Sequence, residues 1–284
     1  MRTRRIGDTK VSEIGLGGMP MSIEGRPDEA RSIATVHAAL DAGITLIDTA
    51  DAYHVHANEV GHNERLIAKA LGSYGGDASA VLVATKGGHL RPGDGSWQTD
   101  GSPEHLRAAC DASLARLGVD AIGLYQFHRP DPKVPYAESV GALAQLLDAG
   151  KIRMAGISNA DQSQIREAND VLGGRLMSVQ NQVSPRFRSS ETELKLCDEM
   201  GIAFLPWSPL GGISRAGDLG SREVFAEVGK AHGVSPQQVC LAWLLAKSPV
   251  VLPIPGSSRP ETVRDSAAAA ELQLSTEELA RLDG

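Results

Sequence analysis

Cysteine is scarce in this chain of 284 residues, and the three present are an odd number, Cys110, Cys197 and Cys240. They lie far apart on segments with helical patterns, which is typical of neither a disulfide framework nor a metal site. Such residues act as small apolar side chains in a reducing compartment. The cysteine pattern therefore predicts a cytoplasmic protein without a metal centre.

Aromatic residues are also few, at 4%, although hydrophobic residues of all kinds make up 42% of the chain. We therefore expect a large core filled mainly by Ala, Leu, Val and Ile. No stretch approaches the ~18 consecutive apolar residues of a membrane-spanning helix. The net charge of -7 argues against general nucleic-acid binding, which needs clustered Lys and Arg. The composition thus predicts neither membrane nor nucleic-acid partners.

Short runs rich in Val, Ile and Leu alternate with longer amphipathic stretches along the whole chain. This alternation is typical of a parallel sheet covered by helices, and eight repeats favour a closed (β/α)8 TIM barrel over an open sheet. No linker divides the chain, so we predict a single domain over 1–284. The predicted strands are Ile14–Gly18, Ile44–Asp48, Val81–Thr85, Ile122–Phe127, Arg153–Ile157, Met177–Gln180, Ala203–Pro206 and Val250–Pro253.

The helix predictions rest on periodicity and on end signals such as Ser102-Pro103 and Ser235-Pro236, which offer an N-cap followed by proline at the first position. A further segment, Arg5 to Ser12 around Gly7-Asp8, predicts a β-hairpin before the first barrel strand. The predicted helices are Asp28–Ala42, Asn63–Leu71, Pro103–Leu117, Tyr136–Ala149, Asp161–Val171, Ser190–Met200 and Pro236–Lys247.

Four polar residues follow three of the predicted strands: Asp48, Tyr53, Lys86 and His128. If those strands are neighbours in a parallel barrel, the four side chains arrive at the C-terminal mouth, where barrel enzymes keep their chemistry. Each residue taken alone has a structural explanation as a loop cap, a packing ring or a solvated strand end. Their combination favours a catalytic group.

The stretches around these residues resemble the aldo-keto reductase family, in the family's order from about Gly15 to about Ala270. That resemblance implies a hairpin at the barrel bottom and a nicotinamide coenzyme lying extended across the barrel mouth. The matching stretches are Asp48-Thr49-Ala50 with Tyr53, Ala84-Thr85-Lys86, Leu124 to His128, Gly150 to Arg153, Gly156 to Asn159, Val179-Gln180-Asn181, Trp207 to Gly211 and Ile254-Pro255-Gly256.

Carbonyl reduction needs a hydride donor and a proton for the developing alkoxide. The hydroxyl of Tyr53 is a suitable acid if its pKa falls from about 10 toward working pH, and the ammonium of Lys86 would lower it. Asp48 would hold Lys86 and partly neutralise it. His128 would donate a hydrogen bond to the substrate oxygen. The resemblance assigns the same four roles to these positions.

No G-x-G-x-x-G opens a helix after the first strand, so a Rossmann dinucleotide site is not predicted. The resemblance implies instead that Ser158, Asn159 and Gln180 bind the nicotinamide carboxamide and that Trp207 stacks on the ring. A mobile Gly- and Ser-rich strap over 211–219 would cover the pyrophosphate. The predicted cofactor-binding residues are Gly18, Met19, Asp48, Ser158, Asn159, Gln180, Trp207, Ser208, Pro209, Leu210, Gly211, Gly256, Ser257, Ser258, Arg259 and Asp265.

The predicted preference between NADPH and NADH depends on Arg259, because a cation before a helix can bind a ribose 2′-phosphate. We therefore expect NADPH. The chain departs from better-known relatives at Gly256, Thr262 and Ser266, where many have Lys, Arg and Asn, so NADH remains an alternative.

The substrate is predicted to be a small carbonyl or alcohol compound contacted by Met19, Tyr53, Trp97, His128 and Arg129. The loop with His54, His56 and His62 lacks the spacing of a metal site, and we expect it at the barrel mouth, near the substrate. Two alternatives stay open beside carbonyl reduction: an NAD(P)-dependent alcohol dehydrogenase for a sugar or pyridoxine-like alcohol, and a nicotinamide-binding regulatory subunit. A barrel isomerase or lyase would need a phosphate site or metal carboxylates, and neither is evident.

Overall fold

A computed structural model describes residues 1–212, 215–221 and 223–284. Short strands alternate with helices along the chain, as the apolar pattern predicts. The strands are β1 Thr3–Ile6, β2 Thr9–Ser12, β3 Leu16–Gly17, β4 Leu46–Asp48, β5 Leu82–Gly87, β6 His89–Leu90, β7 Gln98–Thr99, β8 Ile122–Phe127, β9 Ile152–Ser158, β10 Leu176–Gln180 and β11 Ala203–Phe204.

The predicted helices lie within two residues of their expected ends, because their caps form as the sequence indicates. Ser102 accepts a hydrogen bond from the amide of His105, and Ser235 accepts one from Gln238. Three helices after residue 222 were not in the predicted set. The helices are α1 Glu29–Asp41, α2 His62–Gly72, α3 Pro103–Leu117, α4 Tyr136–Asp148, α5 Gln162–Val171, α6 Glu191–Met200, α7 Glu223–His232, α8 Pro236–Lys247, α9 Pro260–Ala268 and α10 Thr276–Asp283.

Seven strands form one curled parallel sheet in the order β11-β10-β9-β8-β5-β4-β3. The segment 250–256 closes the ring through single parallel bridges, Phe204 to Val251 on one side and Gly17 to Gly256 on the other. The predicted (β/α)8 barrel is confirmed.

The eighth strand differs from its prediction, since it pairs through isolated bridges and not as a continuous strand over Val250–Pro253. Pro253 and Pro255 have no amide to donate, although their carbonyls accept from Gly15 and Gly17 at 2.9 Å. The two prolines therefore remove amide donors from this joint, and Ser257 supplies the next one, to the carbonyl of Gly17 at 3.3 Å.

The predicted N-terminal hairpin is present as β1 and β2, paired antiparallel with Ile6 opposite Thr9. Its side chains Ile6 and Val11 are fully buried in one cluster with Leu46, Leu82 and Leu124, which belong to barrel strands. Burying these apolar groups in the barrel closes its N-terminal end and leaves the C-terminal end for ligands.

Within the described ranges, no helix is long and apolar enough to cross a membrane. The three cysteines are buried, and they form no disulfide with one another. No cluster of three or more His, Cys, Asp or Glu side chains in the described parts of the chain is arranged to hold a metal ion.

Candidate active site

The four predicted catalytic side chains meet at the C-terminal ends of β4, β5 and β8. The ammonium of Lys86 donates to Asp48 Oδ2 at 2.6 Å, to the carbonyl of Thr49 at 2.8 Å and to Tyr53 Oη at 3.0 Å. Lys86 has no exposed surface, so all three of its donors are used inside the protein. The aligned strand ends therefore bring Lys86, Asp48 and Tyr53 into one compact hydrogen-bonded group.

His128 follows β8 and completes the group from the other side of Tyr53. The two rings are 5.8 Å apart and meet edge to face. The amide of His128 donates to the carbonyl of Gly87 at 2.9 Å, which ties this strand end to its neighbour β5. The ring of His128 is thereby held beside the tyrosine hydroxyl.

Two glutamines hold the second oxygen of Asp48. Gln180, at the end of β10, donates to Asp48 Oδ1 at 2.8 Å, and Gln126 in β8 does so at 3.5 Å. All three side chains are buried. Gln126 was not among the predicted site residues, although a polar residue inside the apolar run Ile122–Phe127 was the signal for an inward-facing polar partner.

The charges of the group depend on opposing effects of burial and pairing. Burial alone lowers the pKa of Lys86, but Asp48 and Tyr53 more than offset this, so the pKa is raised and the ammonium stays charged. Burial also raises the pKa of Tyr53, and the positive charge of Lys86 opposes that shift only in part. The expected lowering of the Tyr53 pKa is therefore wrong for this structure, because burial exceeds the effect of Lys86.

His128 is neutral. Burial, followed by the positive charge of Lys86, puts the pKa of His128 well below its usual value. Burial and the charges of Arg129 and Lys86 likewise lower the pKa of the neighbouring His89 to about 4. A neutral imidazole has one donating and one accepting nitrogen, so each ring can donate a hydrogen bond to a ligand oxygen.

A cavity of about 1080 Å³ opens above this group and extends across the barrel mouth. Its size exceeds what a small carbonyl compound needs and suits a long ligand bound beside a small one. The predicted residues that line it are Met19, Asp48, Tyr53, Trp97, His128, Arg129, Ser158, Asn159, Gln180, Trp207, Ser208, Pro209, Leu210, Gly256, Ser257, Ser258, Arg259 and Asp265.

Two predicted cofactor residues, Gly18 and Gly211, do not line the cavity, and their neighbours Gly17 and Gly212 do. Gly18 packs inward, where an added Cβ would lie 2.5 Å from Asn63 Oδ1. The glycine at position 18 therefore allows close packing beneath the site, and contact with a ligand falls to the residue before it.

The residues predicted to bind the nicotinamide carboxamide form one network. Ser158 donates to the carbonyl of Gln180 at 2.7 Å, and the Asn159 amide donates to the carbonyl of His128 at 3.0 Å. Asn159 has a left-handed backbone, with φ of 58°, which turns its side chain back over the strand end. Among the described residues, the amide oxygens of Asn159 and Gln180 have no protein donor, so they suit the NH₂ group of a carboxamide.

Trp207 also fits a flat ring, since it is partly buried and lines the cavity. Its Nε1 is buried without a hydrogen-bond partner in the described part of the chain. The turn that follows is fixed by the Gly211 amide, which donates to Ser208 at 2.9 Å. Of the predicted strap over 211–219, Ile213 and Ser214 lie outside the described residues, and Ala216–Ser221 is a 3₁₀ helix.

The far end of the cavity carries one arginine and two acids. The Arg259 guanidinium is half exposed and lies 3.7 Å from Glu261, which was not among the predicted site residues. Asp265 accepts hydrogen bonds from Ser235 at 2.7 Å and Gln238 at 2.6 Å, so its side chain is fixed. Arg259 is the cation available to a phosphate here, but Glu261 competes for it.

The histidine loop does not reach the large cavity. His54 is buried and its Nδ1 bonds the carbonyl of His56, while His56 is exposed. Neither lines the cavity, so the prediction that they lie near the substrate is wrong. Arg91 is likewise turned away: it pairs with Glu24 and donates to the carbonyl of His54.

Arg129 lines the cavity and is exposed. Asp131, two residues further on, accepts from the amides of Gly101 and Lys133. Arg129 is thus placed to meet a ligand at the substrate end.

Comparison with known proteins agrees with this geometry. The model of the Aldo/keto reductase family matches residues 13–284. An uncharacterized oxidoreductase of Schizosaccharomyces pombe is 37% identical, over 99% of this chain and 89% of its own. A 6-dehydroglucose reductase of Novosphingobium aromaticivorans is 36% identical, over 93% of this chain and 88% of its own.

A solved structure of an aldo/keto reductase from Klebsiella pneumoniae, in complex with NADP and acetate, superposes with a TM-score of 0.82. It is 28% identical and covers 99% of this chain and 94% of its own. The barrel, the buried group at its mouth and the match over residues 13–284 lead to one conclusion. The chain belongs to the aldo/keto reductase family and is an NAD(P)H-dependent oxidoreductase.

Proposed function

We propose that this protein reduces an aldehyde or ketone to the alcohol with NADPH, and that Tyr53 is the proton donor. The observation that carries the proposal is the position of Lys86 Nζ between Asp48 Oδ2 and Tyr53 Oη, at 2.6 and 3.0 Å, inside the barrel. A buried lysine that donates to a tyrosine hydroxyl stabilises the phenolate formed when the proton leaves. We also propose that residues 1–284 form one domain.

The reduced nicotinamide, when bound, supplies the hydride. His128 is neutral and donates a hydrogen bond to the substrate carbonyl oxygen, which orients it and stabilises the charge that grows on it. The Tyr53 hydroxyl gives its proton to the same oxygen. Lys86 stabilises the resulting phenolate, and Asp48, held by Gln180, keeps Lys86 in position.

Coenzyme binding would follow the long axis of the cavity. Ser158, Asn159 and Gln180 would hold the carboxamide, Trp207 would cover the ring, and the segment 208–212 would cover the pyrophosphate. Met19, which also lines the cavity, would border the ring. Arg259 with Ser257 and Ser258 meets the ribose 2′-phosphate, which favours NADPH over NADH.

A sugar-type carbonyl compound is the first substrate class to test, since one relative, 36% identical, is a 6-dehydroglucose reductase. The same side chains serve alcohol oxidation in the reverse direction, so an alcohol dehydrogenase remains the second candidate. We propose a cytoplasmic location, supported by three buried cysteines that form no disulfide in the described part of the chain.

The test is NADPH consumption by the purified protein with a panel of aldehydes and ketones, beside Y53F. Wild type should reduce at least one carbonyl compound, and Y53F should lose about 10²-fold or more in kcat while binding NADPH with unchanged affinity. Tight NADPH binding with no turnover of any carbonyl or alcohol would refute the reductase proposal and favour a regulatory role.

A further inference from the structure

His89, which the cofactor and catalytic roles above leave unused, lines the substrate end of the large cavity. It comes three residues after Lys86, at the start of the two-stranded ribbon of β6 and β7, in which His89 pairs with Thr99. The turn that brings it there passes through Gly88, whose φ is 93° and whose added Cβ would lie 2.9 Å from the Phe127 ring. The backbone therefore fixes the position of His89 relative to Lys86.

The ring of His89 is held on both sides. It stacks on Trp97, with centroids 4.6 Å apart and an angle of 23° between the planes. It meets the His128 ring edge to face at 4.8 Å. The guanidinium of Arg91 lies 4.8 Å from the Trp97 ring centroid and is itself bound to Glu24 and to the carbonyl of His54. The stack is thus braced at its outer end.

The ring nitrogens of His89 have no hydrogen-bond partner among the described residues. The ring is partly buried and faces the cavity, so these nitrogens are available to a ligand. Because the ring is neutral at physiological pH, it can donate with one nitrogen and accept with the other. A hydroxyl group has the same pair of capacities, whereas a carboxylate only accepts and an ammonium only donates. Next to it, Gln98 and Thr99 add further polar groups to the cavity wall.

We propose that His89 is a specificity-determining residue that recognises a hydroxyl group close to the carbonyl of the substrate. The proposal rests on the reductase function above, in which the neighbouring His128 binds the carbonyl oxygen. His128 then binds the carbonyl oxygen, and His89 binds a hydroxyl group one or two carbons away. The preferred substrates are therefore hydroxyaldehydes and hydroxyketones. A substrate without the hydroxyl leaves His89 unpaired once water is excluded.

The experiment compares glyceraldehyde with propanal, a matched pair that differs by hydroxyl groups, in wild type and in H89F. Phenylalanine keeps a flat ring for Trp97 to stack on but has no nitrogen. We expect H89F to lose about tenfold or more in kcat/KM for glyceraldehyde and less than about twofold for propanal. H89N, whose amide both donates and accepts, should recover part of the glyceraldehyde activity.

NADPH affinity, measured by tryptophan fluorescence, should be equal in all three proteins, since His89 lies at the other end of the cavity from Arg259. Equal losses for both substrates, or no loss for either, would overturn the proposal. If wild type reduces no carbonyl compound at all, the reductase function itself fails, and that result is separate from the effect of H89F.

Discussion

Lys86 and Tyr53 form a buried pair in which the ammonium donates to the tyrosine hydroxyl at 3.0 Å and lies 4.9 Å from the ring centroid. Lys86 also has Asp48 at 2.6 Å, so its charge is compensated without solvent. The pair thus has the geometry of an acid whose conjugate base is stabilised by a fixed cation.

The first prediction concerns this pair. K86M should lower kcat by about 10²-fold or more, because the phenolate of Tyr53 loses its stabilising charge. If Lys86 contributes to kcat only through Tyr53, it contributes nothing once the hydroxyl is removed. The double variant Y53F/K86M should therefore be no slower than Y53F. The measurement is single-turnover reduction at saturating NADPH.

Removing Lys86 leaves the Asp48 carboxylate buried without its partner, which destabilises the fold. D48N/K86M is the matched control, since it removes both charges and should restore much of the thermal stability without restoring activity. Additive losses in Y53F and K86M would contradict a shared role.

The second prediction is that kcat/KM for reduction does not depend on pH around neutrality. The pKa of His128 lies well below its usual value and that of Tyr53 lies above its own, so neither group titrates near neutral pH. We expect kcat/KM for reduction to be constant from about pH 6 to about pH 9 and to fall only at higher pH, where Tyr53 loses its proton. A break near pH 7 that disappears in Y53F would instead restore the lowered Tyr53 pKa that the sequence predicts.

The third prediction concerns coenzyme choice. R259A should raise KM for NADPH by about tenfold and leave KM for NADH unchanged, because only NADPH carries the 2′-phosphate. E261Q removes the carboxylate 3.7 Å from that arginine and should lower KM for NADPH about two- to fivefold. Both effects should shrink in 0.5 M salt, where screening weakens exposed charges. Equal shifts for the two coenzymes would remove Arg259 from the phosphate site.

The fourth prediction concerns Asp51, a buried carboxyl beside the site whose Oδ1 has no hydrogen-bond partner in the described part of the chain. Burial and then the charge of Glu64 raise its pKa to about 8. The folded protein therefore holds a proton that the unfolded chain releases above about pH 4. Stability from this group falls as pH rises from about 4 to about 8 and is level above that.

D51N mimics the protonated acid at every pH. It should match wild type near pH 5 and be more stable at pH 9, by on the order of 3 kcal/mol in the free energy of unfolding. Urea denaturation at the two pH values measures the difference. D120N, which changes an exposed carboxylate, is the control and should show no such divergence. A D51N protein that is less stable than wild type at pH 9 would contradict the raised pKa.

The fold was largely predictable because strand and helix patterns are local. Lys86, Asp48 and His128 could be assigned to one mouth, since parallel strand ends lie at the same edge. The hydrogen bonds that hold these side chains could not be predicted. Gln180 donates to Asp48 from 132 positions away in the sequence, and no local pattern shows that pairing. The prediction that His54 lies near the substrate was wrong for the same reason. His54 is buried and bonds the backbone carbonyl of His56, and neither feature can be read from the sequence.

The joint between the first and last barrel strands has a mechanical consequence. Gly17 and Gly256 form a parallel bridge there, and both glycines line the large cavity. Because Pro253 and Pro255 donate no amide, this joint has fewer backbone hydrogen bonds than a full ladder, and a ligand that contacts both glycines would add contacts across it. We therefore expect bound ligand to slow amide exchange at the non-proline residues of 14–17 and 250–256, so that the exchange rate reports occupancy.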